Sequence, residues 1–309
     1  MDRVATLTLN PAIDGACEAD LVFPTHKIRT STERYYPGGG GINVARVLAR
    51  LGESVTVIYL AGGATGALLG ELLGEQGLSH DCIPIHDATR MSLSVYERQT
   101  GKEFRFVPEG PLVADSEWQE AFAHCAALSG GWLVASGSLP RGVPVDFYAR
   151  LAKALAGRVK LVVDSSGPAL AAAIAAGGLF LVKPSQGEFE ALVGRKLDGP
   201  EAIGAAALEM VRAGKAEHIA VTLGHEGAVM AHAGGVVIMP AADVEVKSAT
   251  GAGDSFVAGM VHGFLQGEDA AGAFRWGMAA GTAAVLNPGT ELSRPEDVRR
   301  MWELFGGSV

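Results

Sequence analysis

Short apolar runs alternate with segments of helical period along most of this chain, and that rhythm leaves few folds open. Val4–Leu9, Thr56–Leu60, Trp132–Ser136, Lys160–Asp164, Leu179–Val182 and His218–Leu223 read as strands. The stretch from Ile42 to Leu51 places apolar residues at 44, 47, 48 and 51, one face of a helix, and helical spacing recurs at about 66–75, 144–156, 168–176, 185–193 and 200–213. Strands that are apolar throughout, each followed by a helix, predict a mainly parallel sheet covered on both faces. Ligands of such sheets sit beyond the carboxyl ends of the strands.

Two regions interrupt the rhythm, at about 13–36 and 88–107. Met91–Glu97 and Glu103–Val107 alternate about the turn Gln99-Thr100-Gly101, a hairpin. Together the two regions predict a small β-layer inserted in one domain spanning 1–309, placed to act as a lid. The C-terminal third reads as three helices, 253–266, 269–285 and 295–305. No internal repeat is present.

Charge and composition exclude several functions. With a net charge of -9 the chain lacks the basic field of a nucleic-acid binder. Cys17, Cys82 and Cys125 are widely spaced and odd in number, which argues against a disulfide framework or a structural zinc and suits a reducing compartment. No secretory leader is visible near Met1, and the longest weakly polar stretch, Ala169–Val182, falls short of the ~18 residues of a membrane span. The expectation is a cytoplasmic, soluble protein without membrane partners. A Walker-type G-x-x-x-x-G-K-[ST], a G-x-G-x-x-G, a G-x-S-x-G elbow and an H-E-x-x-H are all absent.

What remains is a set of glycine-rich strand ends. Ser248-Ala249-Thr250-Gly251-Ala252-Gly253-Asp254 opens the helix that runs to about Gln266. Free N–H groups at such a start, with the helix dipole, attract an anion. Asp254 in the first turn adds a carboxylate beside it, the pairing that phosphoryl transfer to a hydroxyl requires. On spacing alone a plain glycine-rich helix start with a favourable acid fits as well. Pro37-Gly38-Gly39-Gly40-Gly41-Ile42-Asn43 lets backbone touch a ligand, with Asn43 offering donors and an acceptor. Asp14, after Asn10-Pro11, could accept from sugar hydroxyls or be an ordinary turn residue. Lys27, Arg29, Arg34, Arg90, Arg98 and Arg105 make the inserted layer basic, which would suit a phosphate on a substrate if they are more than solvated charges. Lys183-Pro184-Ser185-Gln186-Gly187-Glu188 and Thr222-Leu223-Gly224-His225-Glu226-Gly227 each follow a strand, where nucleotide sites belong.

In combination these motifs resemble the PfkB/ribokinase-like carbohydrate kinase family, within it the branch acting on sugar phosphates. The resemblance rests on Gly38-Gly39-Gly40-Gly41-Ile42-Asn43-Val44-Ala45 and Gly251-Ala252-Gly253-Asp254, supported by Thr6–Pro11, Pro37–Arg46, Ala61–Gly66, Ser136–Pro140 and Val163–Gly167, along essentially the whole chain. It implies a ribokinase-like α/β fold: a three-layer core with a mainly parallel sheet plus a small β-sheet lid, lids commonly pairing into a homodimer. It implies transfer of the γ-phosphoryl of Mg·ATP to the C1 hydroxyl of fructose 6-phosphate, with tagatose 6-phosphate, fructose 1-phosphate or a non-catalytic regulatory role as alternatives. By position, Asp254 would be the base and Gly251, Ala252 and Gly253 the anion hole. Asp14, Gly39, Gly40 and Asn43 would hold the sugar. Lys27, Arg90 and Arg105 would meet its phosphate, beside Ser138. Lys183, Ser185, Thr222, Gly224 and Gly227 would bind nucleotide, and Glu188 would hold Mg²⁺ through water. Ser248, Thr250, Ala284, Asn287 and Gly289 would form a K⁺ site. Two positions depart from the family pattern: Ser185 replaces the Asn of N-x-x-E, and Ala249 stands where Thr is usual.

Overall fold

The structure is a computed structural model that describes residues 4–287 and 291–307. In chain order its elements are β1 (Val4–Thr8), β2 (Ala12–Ala19), β3 (Thr30–Gly38), α1 (Gly40–Arg50), β4 (Val55–Ala61), α2 (Gly63–Glu75), β5 (Ser79–Pro84), β6 (Arg90–Glu97), β7 (Lys102–Phe106), α3 (Asp115–Ala126), β8 (Trp132–Ser136) and α4 (Phe147–Leu155). There follow β9 (Lys160–Asp164), α5 (Gly167–Ala176), β10 (Leu179–Val182), α6 (Gln186–Val193), α7 (Gly199–Arg212), β11 (Ala216–Thr222), β12 (Ala228–His232), β13 (Gly235–Met239), α8 (Ala252–Leu265), α9 (Ala270–Val285) and α10 (Pro295–Leu304).

Nine strands form one sheet in the order β13-β12-β11-β10-β9-β8-β1-β4-β5. Every pairing is parallel except β11–β12 and β12–β13. Successive strand residues point to opposite faces, and both faces are covered. Val4, Val57, Tyr59, Trp132, Val134 and Val162 pack with α1, α2, α8 and α9. Ala5, Leu7, Ile58, Leu60, Leu133 and Leu161 pack with α3, α4, α5 and α7 on the other side. Two-sided burial is why these strands read as unbroken apolar runs.

A second, four-stranded sheet has the order β3-β2-β6-β7. Its two faces differ sharply. Asp14, Ser92 and Tyr36 pair across one row and point to one face. In the next row Tyr35, Gly15, Leu93 and Phe106 pair across all four strands and point to the other. Tyr35, Leu93 and Phe106 are all exposed.

Three elements are absent from the sequence reading: the β12–β13 hairpin, β5 and α3. β5 alternates poorly, its sequence Ser-His-Asp-Cys-Ile-Pro being mostly exposed at the sheet edge. The chain then turns back at Ala233-Gly234 so that β12 and β13 extend the sheet antiparallel at the opposite edge.

Candidate active site

The sheet order reverses between β1 and β8, which diverge toward β4 and β9, and the crevice at such a switch point is the expected ligand site. The glycine run lies across it. Gly39 has φ of 111°, a left-handed conformation that a side chain would strain. A Cβ on Gly40 would lie 2.2 Å from the Ser136 hydroxyl, and one on Gly41 2.6 Å from the Leu7 carbonyl. The first turn of α1 therefore presses directly on the ends of β1 and β8. The Thr8 hydroxyl, 2.9 Å away, accepts from the Ile42 N–H and fixes that contact.

Asp14, on the inner face of the small sheet, lies so close to Gly38 that a Cβ there would meet its carboxylate at 2.0 Å. It accepts a short hydrogen bond from Ser92. Burial raises its pKa, while the Ser92 bond and the charges of Arg46, Arg105 and Arg90 oppose the rise.

Asp254 reaches the same crevice from the opposite wall. Gly251 caps α8 with φ of 74°, and no side chain caps the helix. The N–H groups of Gly253 and Asp254 in this first turn have no intrahelical partner and point outward as anion donors. Asn43 Nδ2 donates to Asp254 Oδ2 at 2.9 Å, a polar link at the end of the apolar packing between α1 and α8. Burial, with the nearby charge of Asp164, pushes the Asp254 carboxyl up to about 7, against the Asn43 bond and Lys183. A carboxyl titrating there is poised to take a proton near neutral pH.

Lys183 completes the constellation. It follows β10, and its Nζ lies 3.2 Å from Asp164 Oδ1 and 3.3 Å from where a Cβ on Gly253 would stand. Burial works to lower its pKa, but the carboxylates of Asp164, Asp254 and Glu188 outweigh that and hold it protonated. The site thus sets a fixed cation beside the free N–H groups of α8.

A cleft of about 620 Å³ opens beyond α8. It is lined by Thr222, Gly224 and Gly227, with Ala249, Phe256 and Met278 supplying apolar walls. The Thr222 N–H donates to the Pro184 carbonyl at 3.1 Å, which brings the 183–188 loop to the cleft's edge. There the departure at Ser185 has a clear consequence. Ser185 caps α6, and its N–H and hydroxyl both donate to Glu188 Oε2, at 2.8 and 2.9 Å. One Glu188 oxygen is committed to the helix cap, leaving Oε1 free to accept a hydrogen bond from magnesium-bound water.

The remaining expected residues divide. Ser138 accepts from Asn10 Nδ2 at 3.1 Å beside the crevice. Arg90 donates to the carbonyls of Asn10, Pro11 and Pro108 at 2.9, 3.4 and 2.8 Å, clamping together the strands that enter and leave the small sheet. Arg105 is exposed on the same face as Asp14, two rows along. Lys27 is not brought to the crevice by its own chain. It lies in the exposed connection beyond Ala19, which is roughly 16 Å of strand from Asp14 at the usual rise per residue. Arg34 pairs with Glu291, and Arg98 with Glu18 and Asp20, so neither is free for a phosphate. Ser248, Thr250, Ala284 and Asn287 come together where the 247–250 loop meets the end of α9: Ser248 N–H donates to the Val285 carbonyl and its hydroxyl accepts from Thr250, while Asn287 N–H donates to Ala284. Gly289 lies outside the described residues.

Sequence reasoning misses three members of the site. Asp164 ends an apolar strand with a carboxylate, a signal available in the sequence. Arg46 falls one turn after Asn43 on α1, and Ser92 alternates with apolar residues on β6; neither position announces a role without the fold.

The geometry suits a phosphotransferase acting on a hydroxyl: a carboxylate with a raised pKa, a helix start with a lysine beside it, and a cleft alongside. Comparison agrees. The pfkB family carbohydrate kinase model matches residues 7–297, and the chain belongs to that family. It is 41% identical over 306 residues to the ATP-dependent 6-phosphofructokinase isozyme 2 of Mycobacterium tuberculosis, covering 98% of this chain and 89% of the relative. The Escherichia coli protein of the same name is 39% identical over 304 residues, covering 98% of each. The structure of E. coli phosphofructokinase-2 in complex with fructose-6-phosphate superposes with a TM-score of 0.93 at 37% identity, covering 99% of this chain and all of that one. Among the described residues no helix is long and apolar enough to cross a membrane.

Proposed function

We propose that this chain is an ATP-dependent 6-phosphofructokinase, transferring the γ-phosphoryl of Mg·ATP to the C1 hydroxyl of fructose 6-phosphate. One observation carries the reading: the half-buried Asp254 carboxyl stands beside unpaired α8 N–H groups and Lys183, facing Asp14 across the crevice. Asp14, Asn43 and the glycine run bind the sugar. Asp254, ionised, takes the C1 hydroxyl proton as that oxygen attacks. The Gly253 and Asp254 N–H groups with Lys183 receive the charge on the transferred group. ATP occupies the cleft at Thr222, Gly224 and Gly227. Mg²⁺ would be held through water by Glu188 and would neutralise phosphate charge. The oxygen donors of Ser248, Thr250, Ala284 and Asn287 suit K⁺. The small sheet acts as a lid that excludes water. The enzyme works in the cytoplasm, its three cysteines remaining thiols.

The test is product identity. Incubation with Mg·ATP and fructose 6-phosphate should yield two sugar-phosphate resonances by ³¹P NMR, at C1 and C6. A product phosphorylated anywhere but C1, or none, contradicts the reading.

Arg90 and Arg105 would meet the C6 phosphate. Arg90→Ala should raise KM for the sugar phosphate about 10–100-fold, the worth of a charge-assisted hydrogen bond, with KM for ATP within about twofold. Equal rises in both constants would assign Arg90 only to the clamp it makes on the Asn10, Pro11 and Pro108 carbonyls.

The lid's outer row of Tyr35, Leu93 and Phe106 is the surface for a homodimer. Leu93→Asp should halve the mass found by light scattering. An unchanged mass would place the subunit contact elsewhere.

A further inference from the structure

Arg46 is 2% exposed, and among the described residues it makes no ion pair. A buried guanidinium without a contacting carboxylate is costly, and it is kept only where its hydrogen bonds and longer-range charges compensate. Its bonds are specific. Nε donates to Gln76 Oε1 at 3.0 Å, just past the end of α2. Nη1 donates to the Pro37 carbonyl at 3.1 Å, at the end of β3, and to Asn43 Oδ1 at 3.2 Å. The guanidinium carbon sits 5.5 Å from the centre of the Tyr36 ring.

An arginine has only donors to offer. The atom of Asn43 that faces it must therefore be the amide oxygen, and the amide nitrogen is turned toward Asp254. That one constraint decides what Asp254 receives. With Nδ2 toward it, Oδ2 is held by a donor at 2.9 Å. A flipped amide would set two oxygens against each other. Gln76, Arg46, Asn43 and Asp254 thus form a directed chain from the rim of the core to the reacting centre.

We propose that Arg46 is a positioning residue for phosphoryl transfer, fixing the Asn43 amide so that Asp254 is held ionised and aimed at the acceptor hydroxyl. The inference rests on the kinase reading for its catalytic consequence, though not for the hydrogen-bond chain itself. Asp254 is faced by Asp14 from β2, Asp164 from the end of β9, Lys183 after β10 and Glu188 from α6, as well as by Asn43 and Arg46 from α1. Two of these carboxylates, Asp164 and Asp14, oppose its ionisation. Arg46 and Lys183 are the cations that offset them.

The experiment compares Arg46→Met, Arg46→Lys, Asn43→Ala and the double variant Arg46→Met/Asn43→Ala, using the full chain. Arg46→Met should lower kcat about 10²-fold, the effect of a small misplacement at a reacting centre, and shift the acid limb of kcat/KM upward by about one pH unit. Arg46→Lys should return the acid limb toward the wild-type position, because its ammonium can still donate to the Asn43 amide oxygen. Adding Arg46→Met to Asn43→Ala should cost less than about twofold more, since both act through one amide. An acid limb unmoved in Arg46→Met, or losses that multiply in the double variant, would overturn the proposal. If Arg46→Met does not fold, Arg46→Gln carries the same cycle with Asn43→Ala. The titration midpoint of Asp254 by ¹³C-carboxyl NMR, with no substrate present, should rise in the Met variant and needs no turnover. A wild-type enzyme silent on every sugar phosphate would end the kinase reading, while an unmoved NMR midpoint would end this one.

Discussion

Asp254→Asn should lower kcat by about 10²–10⁴-fold, the contribution of a general base, with both substrates still bound. The wild-type rate should fall as pH drops through about 7, where Asp254 takes up its proton. The same substitution should stabilise the fold. In the unfolded chain the Asp254 carboxyl returns to its ordinary value of 3.8. Between that value and about 7 the unfolded state has lost this proton and the folded state keeps it, so wild-type stability declines across that window. Above it the penalty is complete, and below about pH 4 it disappears. Asn carries no such penalty. Asp254→Asn should therefore melt a few degrees higher than wild type at pH 8, a shift of the size about 1 kcal/mol produces, and lose that advantage near pH 4. Near-normal turnover, or a stability gain that ignores pH, would remove Asp254 from the role of a half-buried, ionised base.

Lys183→Met should have the second largest effect, and it touches both rate and stability. Lys183 and Asp164 are buried together at 3.2 Å. Removing one partner of a buried ion pair costs about 3–5 kcal/mol, because the other charge is left without compensation. Asp164 would respond by taking a proton, so the loss should be greatest at high pH and shrink as pH falls. Urea unfolding at pH 6 and pH 9 measures this directly. Lys183 is also the fixed cation beside Gly253, and its removal should lower kcat about 10²–10³-fold, comparable to loss of one anion-hole donor. A folded variant with unchanged kcat would show that α8 alone meets the transferred group's charge. Equal destabilisation at both pH values would show that Asp164 is not ionised in the wild-type pair.

The parallel core is legible because burial on both faces leaves an unbroken apolar signal, as in Leu179–Val182, where every residue is buried. β5 carries no such signal, since an edge strand exposed to solvent needs no apolar pattern. α3 carries a real one, Trp118, Ala121, Phe122 and Cys125 at helical spacing, with Glu117 accepting from the Ala114 N–H at its start. It escapes the reading because it falls directly after the small sheet, where the β–α rhythm is already broken. At the site, Asp254, Asn43 and Asp14 announce themselves through their glycine neighbours, since close backbone approach leaves a local signature. Arg46 does not, and Asp164 shows only as a carboxylate closing an apolar strand. Their roles come from partners far away in sequence: Asp164 meets a lysine on the next strand, and Arg46 joins α1 to the ends of β3 and α2. Lys27 shows the converse. Its charge is evident in the sequence, but its neighbour Ile28 packs with Cys17, Ala19 and Val95 toward the far end of β2 from Asp14. Ser185 could be read as a departure from a pattern, yet only the fold shows that it draws Glu188 into a helix cap.

The central claim is that this site phosphorylates C1 of a sugar whose phosphate is carried at C6. A coupled ADP-release assay with Mg·ATP, comparing kcat/KM for fructose 6-phosphate, tagatose 6-phosphate, fructose 1-phosphate and unphosphorylated fructose, tests it most directly. The account predicts preference for fructose 6-phosphate over the other three: fructose leaves Arg90 and Arg105 without a phosphate, and fructose 1-phosphate has no free C1 hydroxyl. A preference for fructose 1-phosphate, whose C1 oxygen is already esterified, would contradict it.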